Sequence, residues 1–166
     1  ETQSHIRALG QWNRDTWLRV ALAGPLTTTA LQQIAACLAN GPDLSALSEH
    51  ALIRAGVSST AAKLLLRPDS ALDPAREWLE QSGNQLLTLN SPEYPPLLRE
   101  IPDPPVTLFA SGHYEFLPLP QLAIVGSRNP TPAGEITAQR FARYFAGRGL
   151  AITSGLATGI DAASHS

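Results

Sequence analysis

With 166 residues, a net charge of −2 and 43% hydrophobic residues, the chain is long enough for one ample domain or two small ones. Nothing in it approaches the roughly 18 consecutive apolar residues that suggest a membrane span, and Glu1 to Arg19 shows neither the basic head nor the apolar run of an export signal. A single cysteine, Cys37, excludes an internal disulfide, so the cytoplasm is the natural setting and no membrane partner is expected. There is no methionine, and the chain therefore reads as trimmed at the front at least.

Residues 1–82 read as a small helical domain. A first helix runs from about Trp12 to Ala23 and stops at Gly24-Pro25. Thr28 caps a second, which ends after Leu38 at Asn40-Gly41-Pro42 and carries Cys37, expected buried and inert in its alanine-rich surroundings. A third spans about Leu44 to Ala55, closed by Gly56. Ser58 or Ser59 caps a fourth that ends before Pro68. Asp73-Pro74 opens a fifth, with Trp78 and Leu79 facing inward and Gly83 at its end. The segment Ala55-Gly56-Val57-Ser58-Ser59 resembles the turn of a helix-hairpin-helix, whose amides can cradle a phosphate. Ser58 stands where the DNA-binding hairpin has its second glycine, which favours ordinary helix packing.

Residues 83–121 form a proline-rich connector. Eight of the 14 prolines lie between Pro92 and Pro120, which forbids a long helix. Gln85–Leu89 and Val106–Ala110 are its strand candidates, and the segment is expected to pack on the sheet region C-terminal to it.

From residue 122 to residue 166 the pattern becomes β-α-β-α, the opening of a parallel sheet. Leu122–Val125 is a continuous apolar run, expected buried on both faces. A helix runs from Pro132 to Arg148, with Ala138, Phe141, Ala142 and Phe145 at helical spacing, then a strand over Leu150–Thr153 and a helix starting at Thr158. This stretch holds Arg128, Arg140, Arg143 and Arg148 against only Glu135 and Asp161, so it is mildly basic within an acidic chain.

Open parallel sheets bind ligands beyond the C-terminal ends of their strands. Two turns lie there, Gly126-Ser127-Arg128-Asn129-Pro130-Thr131 and Ser154-Gly155-Leu156-Ala157-Thr158-Gly159, each leading into a helix N-terminus that favours an anion. Thr131 before Pro132 is an ordinary cap, and Asp161, three residues after Thr158, has capping-box spacing. Gly126 and Gly155 either ease the turns or let a ligand approach the backbone. Arg140, Arg143 and Arg148 read as a solvated helix face. Arg128 differs: it comes directly after a strand, has no acidic neighbour in sequence, and suits a phosphate.

Rival chemistries fail on spacing. The first turn lacks G-x-G-x-x-G, the second strand has no carboxylate at its tip, and the P-loop pattern is absent. Ser154, Asp161 and His165 suggest a hydrolytic triad, but the G-x-S-x-G elbow is missing and Asp161 and His165 read as a helix-surface pair. His5, His50, His113 and His165 show no metal-ligand spacing with Cys37 or one another. No cofactor, metal or catalytic residue is expected.

Three stretches together are similar to the DNA processing protein A family (DprA, or Smf). They are Leu86–Leu89 with Tyr94-Pro95-Pro96-Leu97-Leu98 and Ile101–Pro105, then Ala123–Thr131, then Thr153–Ala157 with Gly159–Ala163 and His165. The resemblance implies an α/β protein: a sterile-alpha-motif-like helical domain, then a Rossmann-like parallel sheet domain of which this truncated chain holds only the beginning. It implies a non-enzymatic protein that binds single-stranded DNA, forms a homodimer largely through regions beyond these residues, and helps load the RecA recombinase in natural transformation. Carried over by motif, Gly126, Ser127 and Arg128 form the DNA phosphate pocket, and Ser154 and Gly155 line the same crevice. The alternative is a Rossmann-like protein that binds or hydrolyses nucleotides, since related folds with similar turns do so. The second turn separates the two, because Leu156 comes after Gly155 where nucleotide-processing relatives continue with glycine.

Overall fold

A computed structural model describes residues 12–24, 26–38, 44 and 47–166, which divide into two compact units meeting between Tyr114 and Glu115. The turn expected at Asn40-Gly41-Pro42 lies outside the described residues.

The first unit begins with helix α1 (Arg14–Leu22), whose cap Asn13 accepts through its side chain from the Thr16 amide at 2.7 Å. Helix α2 (Thr28–Cys37) is capped by Thr27, not Thr28. Thr27 has the extended backbone a cap requires and accepts from the Ala30 amide at 3.2 Å, so Thr28 is already helical. Leu31, Ile34 and Leu38 recur on the buried face of α2. Cys37 falls off that stripe and is exposed, contrary to the burial its alanine-rich surroundings suggest.

Helix α3 (Glu49–Arg54) begins later than its apolar pattern implies, because Ser48 is extended and caps it. Gly56 takes a φ of +82° to turn the chain, Val57 is buried, and Ser58 caps helix α4 (Ser59–Leu65). A 3-10 turn over Asp69–Leu72 leads into helix α5 (Asp73–Glu80), where Leu79 is buried and Trp78 meets Phe109 edge-on at 5.5 Å. Trp17, Val20, Leu31, Ile34, Leu52, Val57, Ala62 and Leu65 converge in one core, and Leu18, Leu72 and Leu79 form a second cluster.

Strands β1 (Asn84–Thr88) and β2 (Thr107–Ser111) pair antiparallel, with Leu87 opposite Leu108. Leu86 and Val106 pack against the helical core, so this hairpin rests on the helices before it. Between the strands a short helix α6 (Pro96–Arg99) comes just after the fully buried Tyr94. The Tyr94 hydroxyl donates to the Pro105 carbonyl at 2.6 Å and pins the proline-rich loop. Burial pushes the Tyr94 hydroxyl above its ordinary pKa, partly offset by the charge of Arg99.

The second unit is β3 (Gln121–Ala123), α7 (Pro132–Ala146), β4 (Ala151–Thr153) and α8 (Ile160–Ala163). The strands are parallel with Leu122 beside Ile152, and the ladder continues through the Ile124 amide to the Thr153 carbonyl at 2.9 Å. Thr131 caps α7 as its sequence predicts, accepting from the Gly134 amide at 3.2 Å. Ala138 and Ala142 are buried on α7, whereas Phe141 lies off their stripe and is exposed. Burial of the first strand on both faces is not found: Val125 is 70% exposed, since β4 alone pairs with β3 among the described residues. No helix among the described residues is long and apolar enough to cross a membrane.

Candidate nucleic-acid interface

The two turns leave the C-terminal ends of β3 and β4 and close on the start of α8. Serine organises each in the same way. The Ser127 hydroxyl accepts from the Asn129 amide at 3.1 Å, and the Ser154 hydroxyl accepts from the Leu156 amide at 3.1 Å, two residues on in both cases. Leu156 sits in the left-handed region at φ 51° and is 73% exposed, so this second turn holds an apolar side chain out to solvent on a backbone that costs about 1–2 kcal/mol.

Asp161 joins the turns. It is 6% exposed, and its two oxygens accept from different turns: Oδ1 from the Gly126 amide at 3.3 Å and Oδ2 from the Gly155 amide at 3.0 Å. The capping-box reading of Asp161 is therefore overturned. Gly159, at φ +89°, stands at the cap position of α8, and the carboxylate is spent on distant amides rather than on the first turn of its own helix. The Ile160 amide adds a bond to the Ser127 carbonyl at 3.1 Å.

The glycines serve this closure. A methyl group on Gly126 would lie 2.8 Å from Ile160 Cγ1, one on Gly159 would overlap the Ser127 carbonyl, and one on Gly155 would lie 3.2 Å from Asp161 Oδ2. The close approach at Gly126 and Gly155 is thus to α8 and its carboxylate. Sequence offers turn easing and ligand approach as readings of these glycines, and the packing of α8 is a third.

The residues that suggest a triad meet only in part. Ser154 Oγ lies 2.9 Å from His165 Nε2, but the bonds that Asp161 accepts through its two oxygens come from the Gly126 and Gly155 amides, not from that imidazole. The expected Asp161–His165 surface pair is likewise replaced by the Ser154–His165 contact. No group of three or more His, Cys, Asp or Glu side chains placed to hold a metal occurs among the described residues.

Arg128 is exposed and its guanidinium takes no acceptor among the described residues. Arg148 is occupied: it lies over the Tyr144 ring at 3.5 Å and donates to the Tyr144 carbonyl at 3.2 Å. Arg140 and Arg143 are exposed on α7, as a solvated face requires. In the first unit the hairpin between α3 and α4 carries Glu49 at its mouth, accepting from the Ser59 hydroxyl at 3.2 Å, and a carboxylate there opposes a phosphate. Sequence reasoning misses Asp161 and Ile160 as organisers of the site. The available signal is Gly159 directly before Ile160-Asp161, a glycine that competes with Thr158 for the start of the helix.

The sequence model described as DNA recombination-mediator protein A matches residues 85–166. Protein Smf of Escherichia coli (strain K12) is 34% identical over 152 residues, 91% of this chain and 40% of that protein. DNA processing protein DprA of Bacillus subtilis (strain 168) is 38% identical over 86 residues, 51% of this chain and 29% of that protein. The X-ray structure of DNA processing protein A from Streptococcus pneumoniae superposes with a TM-score of 0.64 at 24% identity, covering 93% of this chain and 53% of that one. It shows the shared fold: a helical N-terminal part, then a Rossmann-like α/β part. The chain thus spans two fifths of the length of the Escherichia coli relative and about half of the solved one. Over residues 85–166, the β1–β2 hairpin and the sheet unit together, the chain matches the DNA recombination-mediator protein A family, that of the DprA and Smf proteins.

Proposed function

We infer that this chain carries the single-stranded-DNA-holding part of a recombination mediator, a non-enzymatic cytoplasmic protein that forms a homodimer and helps load the RecA recombinase in natural transformation. The family match supports the class of activity. One observation carries the site: a solvent-facing arginine with no acceptor among the described residues, in the turn that follows a sheet strand, where a buried carboxylate accepts from the Gly126 amide. Arg128 supplies the charge and fork for a DNA phosphate, and Ser127 contributes its hydroxyl edge. Ser154, Gly155 and the exposed Leu156 form the facing wall, where an apolar side chain can meet a sugar or base. Gly126 and Gly155 contribute through shape, their amides being taken.

Arg128→Ala tests this reading. A charge-assisted hydrogen bond contributes on the order of 1.5–3 kcal/mol, so affinity for oligothymidine should fall about tenfold or more. The loss should be alike for different base sequences, because a phosphate contact carries no base information. The slope of log affinity against log salt should shrink by roughly 0.7, the share of a single neutralised phosphate. Arg128→Lys should recover binding only in part, and Arg143→Ala should change little. Fluorescence anisotropy at several salt concentrations measures all of these; wild-type affinity and slope in Arg128→Ala would overturn the assignment.

A further inference from the structure

An anion-binding turn ordinarily offers its free backbone amides to the ligand. Here the amides of Gly126 and Gly155 both point at one buried side chain, the carboxylate of Asp161, at 3.3 and 3.0 Å. The protein has placed an anion of its own where a phosphate would sit.

We propose that Asp161 is the positioning residue of the DNA site: an internal anion that clamps the two turns into one platform and leaves the incoming phosphate to Arg128 and Ser127 instead of to the Gly126 and Gly155 amides. The proposal rests on the assignment of Arg128 to a DNA phosphate and deepens it. Four features carry it. Asp161 is 6% exposed, and each of its oxygens accepts from a backbone amide. Each oxygen serves a different turn, one after β3 and one after β4, so the side chain bridges segments that adjacent strands deliver. The glycines admit it at close range, Gly155 leaving 3.2 Å between a would-be methyl and Oδ2. The Ile160 amide, next in sequence, binds the Ser127 carbonyl at 3.1 Å, which places Arg128 one residue beyond a fixed point.

An acidic group beside a DNA site would, by charge alone, repel the ligand, and its removal would then strengthen binding. Positioning demands the reverse sign. Asn in place of Asp offers a single acceptor, and its NH2 would confront one of the two amides as donor against donor, so one turn is released. In the intact protein, Asp161→Asn should weaken oligothymidine binding about tenfold or more although a negative charge has been removed. Arg128→Ala made on that background should cost less than about threefold, because the guanidinium counts only while its turn is held.

Two resonances read the clamp directly. In the wild type, the Gly126 and Gly155 amides should exchange slowly and show coupling across the hydrogen bond to the Asp161 carboxylate carbon. In Asp161→Asn at least one should lose both properties, with the helical amides of α7 still protected. Oligothymidine affinity in Asp161→Asn equal to or above wild type overturns the proposal, as do fully additive losses in the double variant. Should Asp161→Asn unfold the sheet unit, the wild-type spectrum decides alone: absence of coupling to both glycine amides overturns it. If instead the coupling is present but Arg128→Ala binds normally in the wild-type background, the DNA reading fails, and the positioning role falls with it.

Discussion

Arg19 is buried in the helical unit, and its acceptors come from far along the chain. One guanidinium nitrogen donates to the Leu65 carbonyl at 3.0 Å and the Arg67 carbonyl at 2.5 Å, and the other pairs with Asp69. The last carbonyls of a helix have no intrahelical donor, so Arg19 closes the end of α4 from a helix some forty residues earlier. Asp69 is 76% exposed and its pairing is worth little, whereas the buried Leu65 carbonyl and the partly buried Arg67 carbonyl would each lose a donor if the guanidinium went. Arg19→Met is therefore expected to lower stability by about 1–3 kcal/mol and Asp69→Asn by less than about 1 kcal/mol, read as midpoint shifts in urea unfolding. Equal losses would place the stabilisation in the ion pair. Neither role, that of Arg19 or that of Asp161, can be assigned from sequence. Arg19 looks like any polar residue on an amphipathic helix, and Asp161 has a local reading, the capping box, that competes with its true partners at Gly126 and Gly155. Arg128 is singled out in the sequence by a local feature: an arginine in the turn after a strand, with no acid near it in the chain.

At the scale of elements, the legible features are those that depend on neighbours within a few residues. Ser58 and Thr131 cap their helices as their positions imply, and Gly56 and Pro132 stand where turn and first helical residue require. The slip from Thr28 to Thr27 arises because three consecutive threonines offer the same hydroxyl, and only the backbone chooses among them. Helix α8 is the opposite case. It is one turn long, has no side-chain cap, and owes its place to the turns it closes. Gly159→Ala tests that dependence. The new methyl would overlap the Ser127 carbonyl at a φ of +89°, so α8 must leave the turns. Gly149→Ala is the control, with φ +85° but nothing within 4 Å of the added carbon. Backbone strain alone costs about 1–3 kcal/mol, which both variants incur, and Gly159→Ala should exceed its control by at least about 1 kcal/mol. Native-state exchange at the Ile160 amide measures the difference, and equal protection in the two variants would show that α8 does not depend on close packing at Gly159.

For the molecule as a whole, burial is divided unevenly between the two units. The unit up to Tyr114 buries tryptophan, leucine, isoleucine and valine in shared clusters. In the unit from Glu115 onward, the buried hydrophobic residues are Ala138, Ala142 and Ala163, while Val125, Ile136, Phe141, Tyr144 and Leu156 are each more than half exposed. An alanine side chain removes little apolar area, and a pair of parallel strands with helices lacks the core that independent stability requires. Polar contacts within this unit include the bonds of the Asp161 carboxylate to the Gly126 and Gly155 amides, the ladder through Ile124, and the Gln121 side chain donating to the Leu117 carbonyl at 2.5 Å. Such bonds contribute only about 0.5–1.5 kcal/mol each, against roughly 1–2 kcal/mol of backbone entropy for every residue fixed. Residues 122–166 expressed alone are therefore expected not to fold cooperatively, with amide exchange near random-coil rates across α7 and β4. In the 166-residue chain, Leu52 and Leu87 amides should be the better protected by at least tenfold over Ile152. A monomeric 122–166 peptide with a protected sheet and a sharp thermal transition would show that these residues carry enough of a core to fold by themselves.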